Sequence, residues 1–457
     1  MGVASTSGID ISNQSIGKAL FKFAVPSTLA VWVFAMYTMV DGMFVGRGVG
    51  PEALAAVNLS MPFINIMFAI SILITIGAGT IVGKLKGEGK QGQANRIFSS
   101  AIYFLAGFGA LVCFIAYLSV DQVAYMLGAR GELIPMVSEY LGTLLFFQTF
   151  YLMAYSMEVF AKIDGFPQRE LAAILCAAVT NIVLDYILVI HMGWGLRGAA
   201  IATGSAQMLQ MTLLIFHFKS RSSNLRFVRA MPDLQNIKRF VKIGTPDSIT
   251  EMSAGFVLMA FNNAILFHMG TPELSAFSVI GYINNFMLIT FIGLTQGMQP
   301  IVTFSRGRKD TRSMCQVAVL TVKVVLVISA LAYAGVYVYG DNLARLFLED
   351  PELVYMSHQA MKVFCLGFIF LGVNVVVSGF FTALESPKKA GVISLLRGFI
   401  LVMLLLLVLP NVFGPESIWW VTAGAELVTV LVSIRLLGRW LKLNAHKVLP
   451  IDPAVAN

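Results

Sequence analysis

Long apolar runs, separated by short polar or Gly/Pro breaks, dominate this chain. Ala53–Gly83, Ile97–Val120 and Leu274–Ser305 contain no Asp, Glu, Lys or Arg, and each exceeds the about 20 residues that a helix needs to cross the hydrocarbon of a bilayer. Reading the runs between their breaks predicts about twelve spanning helices. In the first half they begin near Leu20, Leu54, Ile97, Ile134, Leu171 and Gly198, and in the second near Val241, Leu274, Gln316, Tyr355, Gly391 and Ser417. The chain also repeats itself without a gap. A single shift carries Pro26 onto Pro246, Gly50 onto Gly270, Asn65 onto Asn285, Gly77 onto Gly297, Gly87 onto Gly307, Pro167 onto Pro387 and Gly204 onto Gly424. A repeat this long and this apolar is a duplicated membrane bundle rather than a solenoid. The expected fold is an all-α polytopic membrane protein of twelve transmembrane helices in two six-helix repeats. An even number of spans per half returns the second half in the same sense, so the repeats are parallel, with a pseudo-twofold axis along the membrane normal.

Composition agrees with a membrane protein: AVILMFWYC make up 57% and DEKR only 12% of the chain, where soluble domains carry about 25% charged residues. The net charge of +8 is explained by topology. With the N-terminus inside, every Lys and Arg except Arg47, Arg130, Arg197, Arg345 and Lys362 falls on the cytoplasmic side, as the positive-inside rule requires. The excess is therefore no argument for nucleic acid. The expected organisation is a cytoplasmic N-terminus over 1–18, a first lobe over 19–218, a polar inter-lobe linker over 219–240, a second lobe over 241–438 and a cytoplasmic tail over 439–457. The location expected is the plasma (inner) membrane, with both termini cytoplasmic.

Several function classes lack their machinery. The polar Met1–Gly17 does not resemble a cleaved signal peptide, and a myristoylation pattern at Gly2–Thr6 has little use in a chain that already spans the membrane. Cys113, Cys176, Cys315 and Cys365 form no CxxC and lie in or beside apolar runs, which reads as packing rather than disulfide or zinc chemistry. GxxxxGK[ST], GxSxG and HExxH are absent, so neither ATP hydrolysis nor the common hydrolase reactions are indicated. No enzyme activity and no cofactor are expected. Transport would then draw on an ion gradient, and carboxylates inside the membrane are the usual coupling groups.

Asp41 lies about five residues before the external turn Gly46–Gly50, or roughly 7 Å below the outer surface at 1.5 Å per residue. Asn181 and Asp185, four apart on span five, share a helix face. Asp185 and Thr203 flank the next external connection, His191–Arg197, at matching distances, so three helices bring polar oxygens to one depth. Two carboxylates, an amide and a hydroxyl there can share a proton or surround a sodium ion; in the alternative, the two acids merely cap helix ends in a wet vestibule. The repeat shift carries Asp41 onto Phe261, Asn181 onto Leu401, Asp185 onto Leu405 and Thr203 onto Ala423, which confines the constellation to the first lobe. Three further acids rank second. Glu158 stands four residues before Lys162 in the favourable order for a helical ion pair. Glu251 sits one turn after Pro246, where a helix start suits negative charge. Glu426 lies near the midplane of span twelve with Thr422 as its local polar neighbour, a proton or substrate-cation site.

The residues quoted carry a family resemblance. Val40–Gly46 ending span one, Asp164–Pro167 after span four, Asn181–Asp185, Gly198–Thr203 and Gln296–Pro300 together make the chain similar to MATE (multidrug and toxic compound extrusion) transporters, of the prokaryotic branch with DinF-like and MepA-like proteins. The resemblance implies two six-helix lobes around a central cleft, alternating access, and export of amphipathic, often cationic compounds against Na+ or H+. It maps the family's ion site onto Asp41, Asn181, Asp185 and Thr203. Two departures stand out: Glu158 occupies a place where relatives often have Asn, and Glu251 is closer to the proline than in the NorM-like branch. A cleft for greasy cations needs adaptable apolar walls, for which Tyr37, Phe63, Met67, Gln148 and Tyr151 are candidates, with Gln296 and Gln299 as polar lining. Pro26 and Pro246 are candidate hinges. The partners expected are small amphipathic substrates and membrane lipid, with the chain monomeric. The alternatives are a flippase for lipid-linked sugars, disfavoured by the scarcity of Lys and Arg within spans, and a passive channel.

Overall fold

The computed structural model describes residues 14–444; the expected terminal segments up to residue 13 and from residue 445, the Gly2–Thr6 pattern included, lie outside the described residues. Among those residues the chain is helical throughout, with twelve helices long and apolar enough to cross a membrane. We number them α1 (Ile16–Gly48), α2 (Pro51–Gly87), α3 (Gln91–Leu118), α4 (Leu133–Asp164), α5 (Pro167–His191), α6 (Gly195–Lys219), α7 (Leu234–His268), α8 (Thr271–Gly307), α9 (Thr311–Ala344), α10 (Pro351–Ala383), α11 (Pro387–Phe413) and α12 (Pro415–Asn444). The sequence repeat predicts these boundaries. The shift that superposes Pro26 on Pro246 carries Pro51–Gly87 onto Thr271–Gly307, and Pro167 onto Pro387.

Local chemistry explains the breaks. Gly50 and Gly270 precede α2 and α8 with φ of 132° and 127°, a backbone region that residues with a Cβ rarely occupy, and a proline then sits in the first turn of each helix, where its missing N–H costs nothing. Asp310 and Asp350 cap α9 and α10 by accepting from Ser313 N and Glu352 N. Helices outrun their apolar cores, so α3 begins at Gln91 rather than near Ile97 and α7 at Leu234 rather than near Val241. The expected linker 219–240 is thereby shortened: its last residues are already helix.

In each half the fourth helix is central: α4 packs on α2, α3 and α6, and α10 on α8, α9 and α12. The first core gathers Ile74, Phe98, Phe160 and Phe218. Outward faces are apolar as well, with Phe114, Leu331 and Leu407 more than half exposed, which suits helices whose solvent is lipid.

The chain divides into two compact units, but not at the boundaries expected. Unit one holds Val25–Gly244 and unit two holds Ser15–Ala24 with the chain from Thr245 onward. The start of α1 thus packs in the second unit and the start of α7 in the first, and each exchange ends two residues before a repeat-matched proline, Pro26 or Pro246. Glycines make room for the exchanged starts. A Cβ at Gly77 would overlap the backbone of Phe240, and one at Gly297 the backbone of Ala24.

Candidate functional site

The constellation expected in the first lobe is assembled by α1, α5 and α6. Thr203 Oγ1 donates to Asp41 Oδ1 at 3.1 Å, and Asn181 Nδ2 donates to Thr203 Oγ1 at 3.4 Å. Asn181 and Asp185 are fully buried. The Asp185 carboxyl faces that of Asp41 within hydrogen-bonding reach, yet neither of its oxygens has a hydrogen-bond donor, nor does Asn181 Oδ1. Two carboxyls in contact are both acceptors when ionised, so keeping both charged at this distance is costly. Asp185 is also where regular α-helix stops: residues Tyr186–His191 form a π-helical stretch, an irregularity frequent at functional positions. In the second half the corresponding ground is apolar, with Phe261 stacked on Phe277 at 5.1 Å.

Two buried phenols lie near this site, one of them not foreseen. Tyr140 on α4 packs in an apolar cluster with Val45, Val57 and Leu144, near enough to Asp41 and Asp185 to feel their charge, and nothing in its local sequence distinguishes it from packing aromatics. Tyr37, expected as a cleft wall, is turned into the lobe, its hydroxyl accepting from Gln207 Nε2 at 2.6 Å.

The second-rank acids have different environments. Glu158 is bound by Lys162 Nζ at 3.4 Å, the local pair read from the sequence, and also by Gln210 Nε2 at 3.4 Å; Lys162 lies a further 2.9 Å from Glu170. Glu426 departs from expectation. Rather than standing beside Thr422 alone, it accepts from Arg397 Nε at 3.2 Å and Asn374 Nδ2 at 2.7 Å, while Asn374 Oδ1 accepts from Ser433 at 2.7 Å. Arg397, assigned from the sequence to a cytoplasmic connection, lies on a π-helical turn within α11, and its side chain is 8% exposed. Glu251 is half-buried without a hydrogen bond or ion pair among the described residues, and nearby Asp247 accepts from Thr382 at 3.0 Å.

Of the remaining candidates, Met67 sits in an apolar core cluster with Cys113, Leu141, Leu145 and Leu152, against which Phe63 and Tyr151 pack, and Tyr151 stacks on Phe68 at 5.4 Å. Gln148 is buried with its Nε2 lacking a partner. Gln296 and Gln299 are half-buried on α8. The prolines lie inside their helices, and Thr250 Oγ1 donates to the Pro246 carbonyl at 3.0 Å. No group of three or more His, Cys, Asp or Glu suited to a metal ion occurs among the described residues.

Comparisons with known proteins fall on this architecture. The MatE family model matches residues 26–187 and 248–408, one segment in each half. The multidrug export protein MepA of Staphylococcus aureus (strain bovine RF122 / ET3-1) is 24% identical over 424 residues, covering 92% of this chain and 93% of its own. The MepA of Staphylococcus saprophyticus is 24% identical over 433 residues, with 93% and 94% covered. Among solved structures, a multidrug resistance MATE family transporter of the MOP superfamily in an outward-facing conformation superposes with a TM-score of 0.90 at 17% identity, covering 96% of this chain and 99% of that one.

Proposed function

The chain belongs to the MatE family and is an integral, multi-pass membrane protein; from that premise we propose that it is a secondary active multidrug exporter, moving amphipathic and often cationic compounds against Na+ or H+ by alternating access. The observation that carries the reading is the pair Asp41 and Asp185, a half-buried and a fully buried carboxyl in contact, with both Asp185 oxygens lacking a donor and a hydroxyl and an amide alongside. Holding both ionised in a low-dielectric interior is costly. Occupancy by one cation removes that cost, so occupancy can bias which conformation is favoured. The relatives named as multidrug export proteins support the substrate class. Inner-membrane location with cytoplasmic termini is supported by the distribution of Lys and Arg. The helix cations Lys86, Lys162 and Arg397 are each paired with a carboxylate, which weighs against a site for an anionic, lipid-linked sugar.

Dye efflux from vesicles containing the purified protein, under imposed sodium or proton gradients, tests the proposal. Wild-type protein should move dye uphill with one gradient and not the other, and Asp41→Asn should abolish that coupling while the folded protein persists. Coupled efflux at the wild-type rate from Asp41→Asn overturns it; dissipation of a dye gradient without uphill movement identifies a channel instead.

A further inference from the structure

The Asp41 site is the outer end of a polar stripe along α6. Thr203, Gln207, Gln210 and His217 follow one another at helical intervals and share a face. Thr203 reaches Asp41 on α1, Gln207 reaches Tyr37 on α1, Gln210 reaches Glu158 on α4, and His217 lies 3.5 Å from Asp164 at the end of α4. All belong to the first compact unit.

Glu158, Lys162 and Glu170 form a buried triad on this stripe. Lys162 and Glu170 are 1% and 0% exposed. One ammonium answers two carboxylates, the two carboxyls face each other, and Glu170 Oε2 is a buried oxygen that no donor reaches. Fully ionised, the triad carries a net charge of −1 in a desolvated interior, which is costly; one added proton brings it to zero. The groups facing it are Tyr37 from α1, Lys162 from α4, Glu170 from α5 and the neutral Gln210 from α6. On α2, Lys86 is held instead by Asp164 at 3.0 Å, and α3 meets this part of the lobe through Ala94, Phe98 and Ala101.

We propose that the triad is a second protonation site, the station through which a proton taken up at Asp41 and Asp185 leaves toward the inner solution. This rests on reading Asp41 and Asp185 as the coupling site, and commits that site to protons. The proton departs from the carboxyl pair and passes along water hydrogen-bonded by Tyr37, Gln207 and Gln210; the amides orient that water and carry no proton themselves. It then binds a carboxylate of Glu158 or Glu170, taking the triad from −1 to zero. Release from Glu170, in the first turn of α5, restores the starting charge. Glu158 supplies the second carboxylate beside Lys162.

The test uses the full chain in liposomes with ethidium as substrate and internal pyranine as the pH reporter. Two rates are read: ethidium transport driven by a pH gradient, and ethidium counterflow at equal pH, which needs no net proton movement. Glu158→Gln should slow the driven rate about 100-fold, the scale of a lost proton-transfer group, Gln210→Leu, which removes the amide that orients the water, should slow it as well, and both should leave counterflow at the wild-type rate, while Glu158→Asp keeps both rates. If Glu158→Gln does not fold, Gln210→Leu, which removes no charge, reads the same step. Wild-type driven transport in the variants, or parallel loss of counterflow in Gln210→Leu, overturns the proposal, as does driving by sodium alone. Asp41→Asn run alongside separates the two readings: if it retains driven transport, the coupling site itself is misassigned, whereas its loss beside unaffected triad variants removes only the triad.

Discussion

At the scale of single residues, one pair of opposite charges shows most directly how an ion is accommodated inside this protein. Glu426 and Arg397 are almost fully desolvated and bound to each other and to Asn374. Breaking such a pair by removing one partner strands the other charge, at a cost of about 3–5 kcal/mol, whereas replacing both by apolar groups of similar volume is close to neutral. Arg397→Met is therefore expected to lower the midpoint of thermal unfolding in detergent, and Arg397→Met with Glu426→Leu to recover most of the loss. A double variant as unstable as the single one would show that the pair is not where the cost arises. The sequence alone gave Glu426 a role as a free acid because its partners come from α10 and α11, far away in the chain. Asp41, Asn181, Asp185 and Thr203 were legible for the opposite reason: helix rise and the position of the connections bring them to one depth without any knowledge of packing.

At the scale of elements, the exchanged helix starts depend on backbone approaching backbone. Gly77 on α2 admits the Phe240 region of α7, and Gly297 on α8 admits the Ala24 region of α1. A valine at Gly77 has no space, so Gly77→Val should destabilise by about 1–3 kcal/mol or more, as overpacking does. Gly107, on α3, has nothing within 4 Å of its would-be Cβ, and Gly107→Ala should be neutral or stabilise by about 0.5–1 kcal/mol through the lost chain entropy of glycine. Thermal unfolding of the two variants side by side checks both; equal effects would deny that the close approach matters. The repeat made Gly77 and Gly297 equivalent in the sequence, but not what they touch. The π-helical stretches show a similar limit: Tyr186–His191 in α5 and Leu396–Ile400 in α11 fall at different points of the repeat, each beside its own half's charged group, Asp185 or Arg397.

At the scale of the whole molecule, orientation follows from where Lys and Arg fall along the chain. In a variant lacking Cys113, Cys176, Cys315 and Cys365, a cysteine at Gly193, between α5 and α6, should react with an impermeant maleimide added outside intact cells. A cysteine at Ser222, between α6 and α7, should react only after permeabilisation. The reverse pattern would invert the proposed direction of transport and of proton flow.

Helix count, duplication, the expected orientation and the shared level of the carboxylates along their helices are legible in the amino-acid sequence. Each follows from properties that act along one helix at a time: the apolar length a bilayer demands, the periodicity of the helix, and the side on which connections carry positive charge. Packing between distant helices sets which buried charges meet, puts Tyr140 near Asp41 and Asp185 and Tyr37 against Gln207, and places the first turns of α1 and α7 in exchanged units. Those features depend on side chains from helices distant in sequence meeting in a medium without water, where an ion or an amide must find its partner inside the protein.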